Sequence, residues 1–161
     1  MPPLAVRGAR IRPFHQRYIG YQVDAGRWIR LPLLHVRLRG SRRTVRTIAL
    51  IDSGATVTFI PTELGSAIGL DVVENDVSAT GAGGKFLNDV STFDLEVLIE
   101  GRPVHRIRGQ AHVPKDVGRV PYVVLGRDYL FQTYDIAFQE QRERVGLLPA
   151  SKPANHQSGR A

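Results

Sequence analysis

The sequence contains no cysteine, so neither a disulfide framework nor a thiolate metal site is possible. No apolar run approaches the roughly 20 residues that a helix needs to span a bilayer. The first twenty residues alternate arginine with proline, histidine and glycine and lack the apolar core of a secretory signal. The five histidines are scattered without the spacing of metal ligands. We therefore expect a cytoplasmic protein with no membrane segment, no metal and no cofactor.

Acidic residues are scarce in the first third of the chain. Eleven arginines and one acid, Asp24, precede Asp52, whereas the rest of the chain has eleven basic residues and fourteen acids. A basic segment of this kind can bind phosphates. No nucleic-acid-binding motif accompanies it, which favours a solvated, partly mobile segment. Nucleic acid thus remains an open but less favoured partner of the basic N-terminal region.

The composition is that of one soluble globular domain of 161 residues, with 42% hydrophobic and 23% charged residues. Residues 1–26 show no sustained period and contain several prolines and glycines, so we expect a basic extension that docks a short strand at most. Regular structure is expected from Trp28, within a folded domain that covers residues 27–149. Residues 150–161 are small and polar, which predicts a disordered tail.

Short β-branched and aromatic runs separated by turn residues predict most of the folded domain. Leu31–Leu38 and Arg43–Ile51 should form a hairpin whose second strand ends in a fully apolar run. Short helices are predicted after Pro61, ending at Gly69, and over residues 126–133. Many short strands with only two short helices indicate an all-β, barrel-like or sandwich domain. The aromatic residues expected in its core are Trp28, Phe93, Tyr122 and Phe131.

The run Asp52-Ser53-Gly54 follows directly on the apolar strand and is the strongest candidate for chemistry. A carboxylate at the end of a rigid strand is held more firmly than one on a mobile loop. Glycine at the third position permits a sharp turn and the close approach of another chain. The serine hydroxyl can bond to backbone groups of a neighbouring copy. An ordinary turn, in which the aspartate only caps, is the simpler alternative.

One such carboxylate is a poor catalyst of amide hydrolysis, whereas two that face each other share a proton. One can then accept a proton from water while the other donates to the carbonyl oxygen. Only one Asp-[Ser/Thr]-Gly run occurs in the chain, so the second carboxylate has to come from a second copy. Two-fold symmetry would place Asp52 opposite Asp52 of that copy.

Three features occur in the order found in a known protein family. They are the strand and turn Ala49–Thr56, the glycine-rich hairpin tip Gly81–Gly84, and the apolar strand, glycine and short helix Val123–Leu130. In these features the chain resembles the retropepsin-like aspartic proteases, over residues 27–148. The resemblance implies a small closed-barrel-like acid protease domain with one or two short helices. It also implies a homodimer that hydrolyses an extended peptide or protein substrate.

The resemblance also assigns roles to individual residues. Asp52 matches the catalytic aspartate, and Ser53, Gly54 and Ala55 complete the active-site turn, with serine in place of the commoner threonine. Gly81, Ala82, Gly83 and Gly84 match a flap that closes over bound substrate. Gly126, Arg127 and Asp128 match a structural element that supports the active-site turn.

Several features depart from the family or admit another interpretation. The stretch between the flap and Gly126 is longer than in the viral enzymes, and both chain ends are extended, which leaves open how the dimer interface is built. Asp128 is expected to pair with Arg127 or with backbone at the start of the helix. Lys85 after the glycines does not make a phosphate loop, since Phe86 stands where serine or threonine is required. The alternative function is a non-catalytic dimeric module that binds a peptide or partner on the same fold.

Overall fold

A computed structural model describes residues 12–81 and 83–151. Regular structure begins at Phe14, earlier than the expected start near Trp28. The domain boundary at residue 27 and the disorder of the tail stay predictions, and residues 1–11 and 152–161 lie outside the described part. The strands are β1 Phe14–Arg17, β2 Ile19–Asp24, β3 Arg27–Leu31, β4 Leu33–Arg39, β5 Thr44–Ile51, β6 Asp71–Gly81, β7 Gly84–Ile99, β8 Arg102–Pro114, β9 Val123–Leu125, β10 Tyr134–Gln139 and β11 Arg144–Pro149.

The helical elements are short, as the sequence indicates. Helix α1 spans Thr62–Ile68, helix α2 spans Leu130–Thr133, and a single 3-10 turn spans Glu140–Arg142. Gly69 ends α1 in the left-handed conformation (φ 75°), which glycine adopts without the penalty of a Cβ atom. Helix α2 begins four residues later than the predicted segment 126–133. The all-β prediction with two short helices is confirmed.

The largest sheet has the strand order β6-β7-β4-β5-β9, with β8 paired to β7. Strand β4 alternates between buried apolar and more exposed residues, as a strand does when one face covers a core. The end of β5 is buried and pairs in parallel with β9, from Ala49 beside Val123 to Ile51 beside Leu125. Because β6 and β9 end the sheet without pairing to each other in the described residues, it stays open rather than closing as a barrel.

Two small sheets flank this main sheet. One has the order β1-β11-β10, so the first strand of the described chain pairs with its last strand. The other is the hairpin of β2 and β3. Trp28 on this hairpin is 64% exposed, which corrects its predicted place in the core, whereas Phe93 is buried as predicted. The hairpin is too thin to cover both of its faces, so one aromatic side chain is left in solvent.

The core lies between the main sheet, helix α1 and the β10–β11 layer. Each fully buried leucine, isoleucine or valine stabilises the fold by about 1.5–3 kcal/mol relative to an exposed position. The leucine and isoleucine side chains with no exposed surface are Leu33, Leu34, Leu38, Ile60, Ile68, Leu95 and Leu147.

Glu96 on β7 lies between Arg37 and Arg39 of β4, with Arg39 Nη2 3.3 Å from Glu96 Oε1. Burial acts to raise the pKa of Glu96, but hydrogen bonds from the two arginines outweigh it and hold the pKa below its usual range. A carboxylate whose pKa is lower in the folded state stabilises the fold above its unfolded pKa, about 4.3. That stabilisation is lost as the pH falls through the folded pKa.

We therefore expect Glu96→Gln to be less stable than the parent at pH 7 and to lose less stability on acidification. Thermal unfolding of both proteins at pH 7 and pH 3 measures the difference. Glu100→Gln, in the exposed turn between β7 and β8, is the control and should leave the acid sensitivity unchanged. Equal acid sensitivity of Glu96→Gln and the parent would contradict the expectation.

Candidate active site

Asp52 lies where the buried end of β5 leaves the sheet. Its backbone N–H donates to the carbonyl of Leu125 at 3.1 Å, so it continues the parallel pairing of β5 with β9. On the other side, the N–H of Ile51 donates to the carbonyl of Pro32 at 3.1 Å. The backbone that carries this half-buried carboxylate is thus fixed from two neighbouring segments.

The turn after Asp52 is closed by the aspartate itself. The N–H of Gly54 donates to Asp52 Oδ1 at 2.8 Å, and the N–H of Ala55 donates to the carbonyl of Asp52 at 3.3 Å. Gly54 does not have a positive φ. A Cβ atom there would lie 3.1 Å from Asp52 Oδ1, so glycine lets the carboxylate approach the backbone. Ser53 is exposed and makes no side-chain hydrogen bond within the described residues.

The segment Gly126-Arg127-Asp128 lies directly behind this turn. The N–H of Arg127 donates to the carbonyl of Ala55 at 3.0 Å. The carboxylate of Asp128 accepts two hydrogen bonds from Thr58, one from its N–H at 2.8 Å and one from its hydroxyl at 2.7 Å. The expectation that Asp128 pairs with Arg127 or the helix start is therefore wrong. A residue 70 positions away holds it, which links the two halves of the site.

Residues after the turn form a short bridge between β8 and β9. Phe59 and Val124 exchange two backbone hydrogen bonds of 2.9 Å. On the opposite side, the N–H of His112 donates to the carbonyl of Thr58 at 2.9 Å. Burial lowers the pKa of His112, and the nearby charges of Asp128 and Glu74 oppose that effect. The segment that follows Asp52 is therefore held by backbone hydrogen bonds on both sides, as is the strand that precedes it.

We expect Thr58→Val to destabilise the fold by about 2 kcal/mol, because it removes a hydrogen bond to a carboxylate in a partly buried place. The valine keeps the backbone N–H bond to Asp128 and nearly the same volume. Urea unfolding measures the loss. Thr44→Val, at an exposed position on β5, is the matched control and should change stability by less than about 0.5 kcal/mol. A neutral Thr58→Val would show that Asp128 does not need this hydroxyl.

The predicted flap is the hairpin of β6 and β7, whose last pair is Gly81 with Gly84. Gly84 has φ +93°, a conformation that favours glycine. Ala82 lies outside the described residues. A Cβ atom at Gly83 would lie 3.0 Å from a guanidinium nitrogen of Arg119. Glycines at this tip therefore provide both the turn and the space for a neighbouring side chain.

Aromatic and cationic side chains join the flap to the rest of the site. The Phe86 ring lies 6.0 Å from the ring of Phe59, centroid to centroid. The Arg119 guanidinium carbon lies 4.4 Å above the Phe86 ring, within the range of a cation–π contact. The structure thus brings the flap hairpin to the segment that follows Asp52. The role of the flap in covering substrate stays a prediction.

Two tyrosines that pack together, Tyr21 and Tyr122, are not predicted as site residues by the sequence. The rings of Tyr21 and Tyr122 meet edge to face with centroids 5.2 Å apart. Burial raises the pKa of Tyr122, and electrostatic interactions with Tyr21 and Asp52 raise it further. No sequence signal connects these residues, because Tyr21 lies in a segment with no periodic pattern.

In the described part of the chain no group of three or more acidic or histidine side chains could hold a metal.

A model of the family described as aspartyl protease matches residues 34–129 of this chain. The match runs from β4 to just past Gly126, Arg127 and Asp128, which lie behind the Asp52 turn. The chain belongs to the aspartyl protease family. No curated protein sequence matches it significantly.

Solved structures of similar fold include EIAV protease in complex with the inhibitor HBY-793, with 16% identity, a TM-score of 0.50, and coverage of 71% of this chain and 93% of that one. A retropepsin-like aspartic protease from Rickettsia conorii is 13% identical, with a TM-score of 0.48 over 87% of this chain and 95% of that one. The retroviral protease-like domain of Ddi1 from Leishmania major is 16% identical, with a TM-score of 0.43 over 75% and 96%. The resemblance to retropepsin-like proteases is confirmed.

Neither helix of the described residues has the length and apolar character that a membrane crossing requires.

Proposed function

We propose that the chain is a homodimeric aspartic endopeptidase, in which Asp52 of one copy faces Asp52 of the other. The observation that carries this proposal is the support of one carboxylate by a fixed turn, with its backbone bonded to Leu125 and its neighbour Ala55 bonded to Arg127. The nearby carboxylate of Asp128 is engaged by Thr58. It cannot serve as a second acid without giving up the bonds that hold the site together.

The proposed reaction follows from two carboxylates that share one proton. The ionised Asp52 takes a proton from a water molecule, whose oxygen attacks the carbonyl carbon of the peptide bond. The protonated Asp52 of the other copy donates its proton to the carbonyl oxygen. The tetrahedral intermediate then breaks its C–N bond as the nitrogen accepts the proton of one carboxyl group and a hydroxyl of the intermediate gives its proton to the other carboxylate, so the pair again shares one proton. Closure of the β6–β7 hairpin over the peptide would exclude bulk water from these steps.

A strand edge that no other strand of residues 12–81 and 83–151 covers supports the assembly of two copies. In the β1-β11-β10 sheet, β11 is the central strand and pairs with β1 on one side and β10 on the other. Strand β10 therefore forms one outer edge of this sheet. Strands at open edges are commonly protected by proline or by charged side chains, and β10 has only Asp135 among these. Phe138 on β10 is 37% exposed. We propose that a second copy adds along this edge.

The proposal predicts that proteolysis depends on protein concentration. If the active site needs two chains, activity per chain falls on dilution as dimers dissociate, and the midpoint coincides with the change in solution mass. Cleavage of a quenched fluorescent peptide library across a dilution series, with mass measured by light scattering on the same samples, tests this. Activity per chain that stays constant while the mass falls to that of a monomer would overturn the homodimeric mechanism.

Binding of nucleic acid by the basic N-terminal region stays a prediction. Arg37 and Arg39 contribute to the excess of positive charge before Asp52. Both form ion pairs with Glu96 within the fold. The remaining test is retention on a polyanion with a steep dependence on salt, lost on removal of residues 1–26.

A further inference from the structure

The hairpin of β2 and β3 starts beside the candidate active site. Strand β3 leads through Pro32 into β4, and the carbonyl of Pro32 accepts the N–H of Ile51, the residue before Asp52. Ile19 and Leu31 form the pair at this end of the hairpin. The hairpin therefore starts next to a residue that is bonded to the neighbour of Asp52, and it belongs to neither of the other sheets.

The base of the hairpin is anchored to the opposite end of the chain. The buried Tyr18 donates its hydroxyl to Glu140 Oε1 at 2.6 Å, and its N–H donates to the carbonyl of Glu143 at 2.7 Å. Arg30 Nε lies 3.3 Å from Glu143 Oε2. These contacts fix the direction in which the hairpin leaves the domain, so it is a rigid projection rather than a loose arm.

The two faces of the hairpin differ in what they contact. Tyr21 pairs with Ile29, and the next pair, Gln22 with Trp28, points to the other face because successive residues alternate along a strand. The Tyr21 ring meets the ring of Tyr122, which immediately precedes β9. Ile29 is 36% exposed beside it. One face thus presents aromatic and apolar surface toward the segment that leads into the site.

We infer that β2 and β3 form a side wall of the peptide-binding cleft, where Tyr21 and Tyr122 make a subsite for an aromatic or large aliphatic side chain of an extended peptide. This inference rests on the proposed endopeptidase function. Both strands of the hairpin have unpaired backbone edges in the described residues, so an extended peptide can bond to them as an added strand. Because side chains alternate along such a strand, the aromatic pair then contacts one side chain of that peptide while its two neighbours point to the other face.

Peptide binding tests the wall without requiring cleavage. Fluorescein-labelled ten-residue peptides that differ only by phenylalanine or alanine at one position are titrated into the Asp52→Asn protein, and anisotropy gives the Kd. Adding Tyr21→Ala should weaken binding of the phenylalanine peptide about tenfold and leave the alanine peptide nearly unchanged. Tyr21→Phe keeps the ring and should bind as the parent does. Trp28→Ala, on the opposite face of the same hairpin, is the matched control and should change neither Kd.

Cleavage kinetics measured with Asp52 intact distinguish a failure of the side wall from a failure of the proposed function. With Tyr21→Ala, KM for the phenylalanine peptide should rise about tenfold at nearly constant kcat. If the parent cleaves the peptide and Tyr21→Ala leaves KM and kcat unchanged, the side wall is contradicted and the endopeptidase proposal stands. No turnover by the parent, together with the tenfold loss of peptide binding, overturns the endopeptidase and supports the wall. A Tyr21→Ala protein that loses dimer mass instead overturns the subsite, since the hairpin face would then contact the second copy.

Discussion

Replacing Asp52 by asparagine is expected to reduce peptide hydrolysis by roughly a thousandfold or more while the fold is retained. Asparagine has nearly the same shape, and its side-chain oxygen can still accept the N–H of Gly54. It can neither take a proton from water nor donate one as a carboxylic acid does. The effect should therefore appear in turnover and be small in stability.

Two chains contribute to one proposed site, so mixing gives a sharper measurement than the single variant. An excess of the Asp52→Asn chain should draw the parent chain into mixed dimers, and activity per parent chain should fall toward zero. At equal amounts, about a quarter of the dimers keep two aspartates if the chains pair at random. Glu100→Gln changes the same kind of group in an exposed turn and should leave activity unchanged in the same mixture.

Two outcomes would contradict this expectation in different ways. Unchanged turnover by Asp52→Asn would remove Asp52 from the chemistry. A parent chain that shows no cleavage from acid to neutral pH, yet stays dimeric and binds extended peptides, would favour the non-catalytic binding module. Anisotropy titrations of labelled peptides supply the second measurement.

Much of the fold could be predicted because its signals are local. The hairpin of β4 and β5, the end of α1 at Gly69 and the closing hairpin of β10 and β11 each depend on a short pattern of apolar, turn and capping residues. The segment before residue 27 has no such pattern. Its strands exist because distant residues hold them, as Leu147 pairs with Phe14. The apolar character of Trp28 predicts a place in the core, but the thin hairpin that carries it leaves one face uncovered.

The candidate site divides in the same way. The order of the Asp52 turn, the flap and Gly126-Arg127-Asp128 follows from motifs, whereas the contacts among them depend on the folded chain. Nothing near Asp128 in the sequence indicates Thr58 as its partner. The contact of Tyr21 with Tyr122 joins residues about a hundred positions apart, and neither stands in a recognisable motif. Residues that shape a cleft are therefore harder to predict than residues that react in it.

Gly126→Ala is expected to destabilise the fold by about 3 kcal/mol and to remove most activity. A Cβ atom at this position would lie 2.3 Å from the carbonyl oxygen of Val57 and 2.9 Å from that of Ala55. Both are backbone atoms of the segment that follows Asp52, so no side-chain rotation can relieve the overlap. The methyl group would push this segment away from β9 and break the bond from Arg127 to Ala55.

Gly65→Ala is the matched control for this substitution. Gly65 is also buried, but a Cβ atom there would be 3.4 Å from side-chain carbons of Leu70 and Val113, an ordinary contact. Alanine also suits the interior of helix α1 better than glycine, so stability should stay within about 1 kcal/mol of the parent. Urea unfolding at one fixed protein concentration is the measurement, because a dimer's apparent stability depends on concentration. Equal stability of the two variants would show that the backbone behind the Asp52 turn can yield, and that Gly126 is not required to support it.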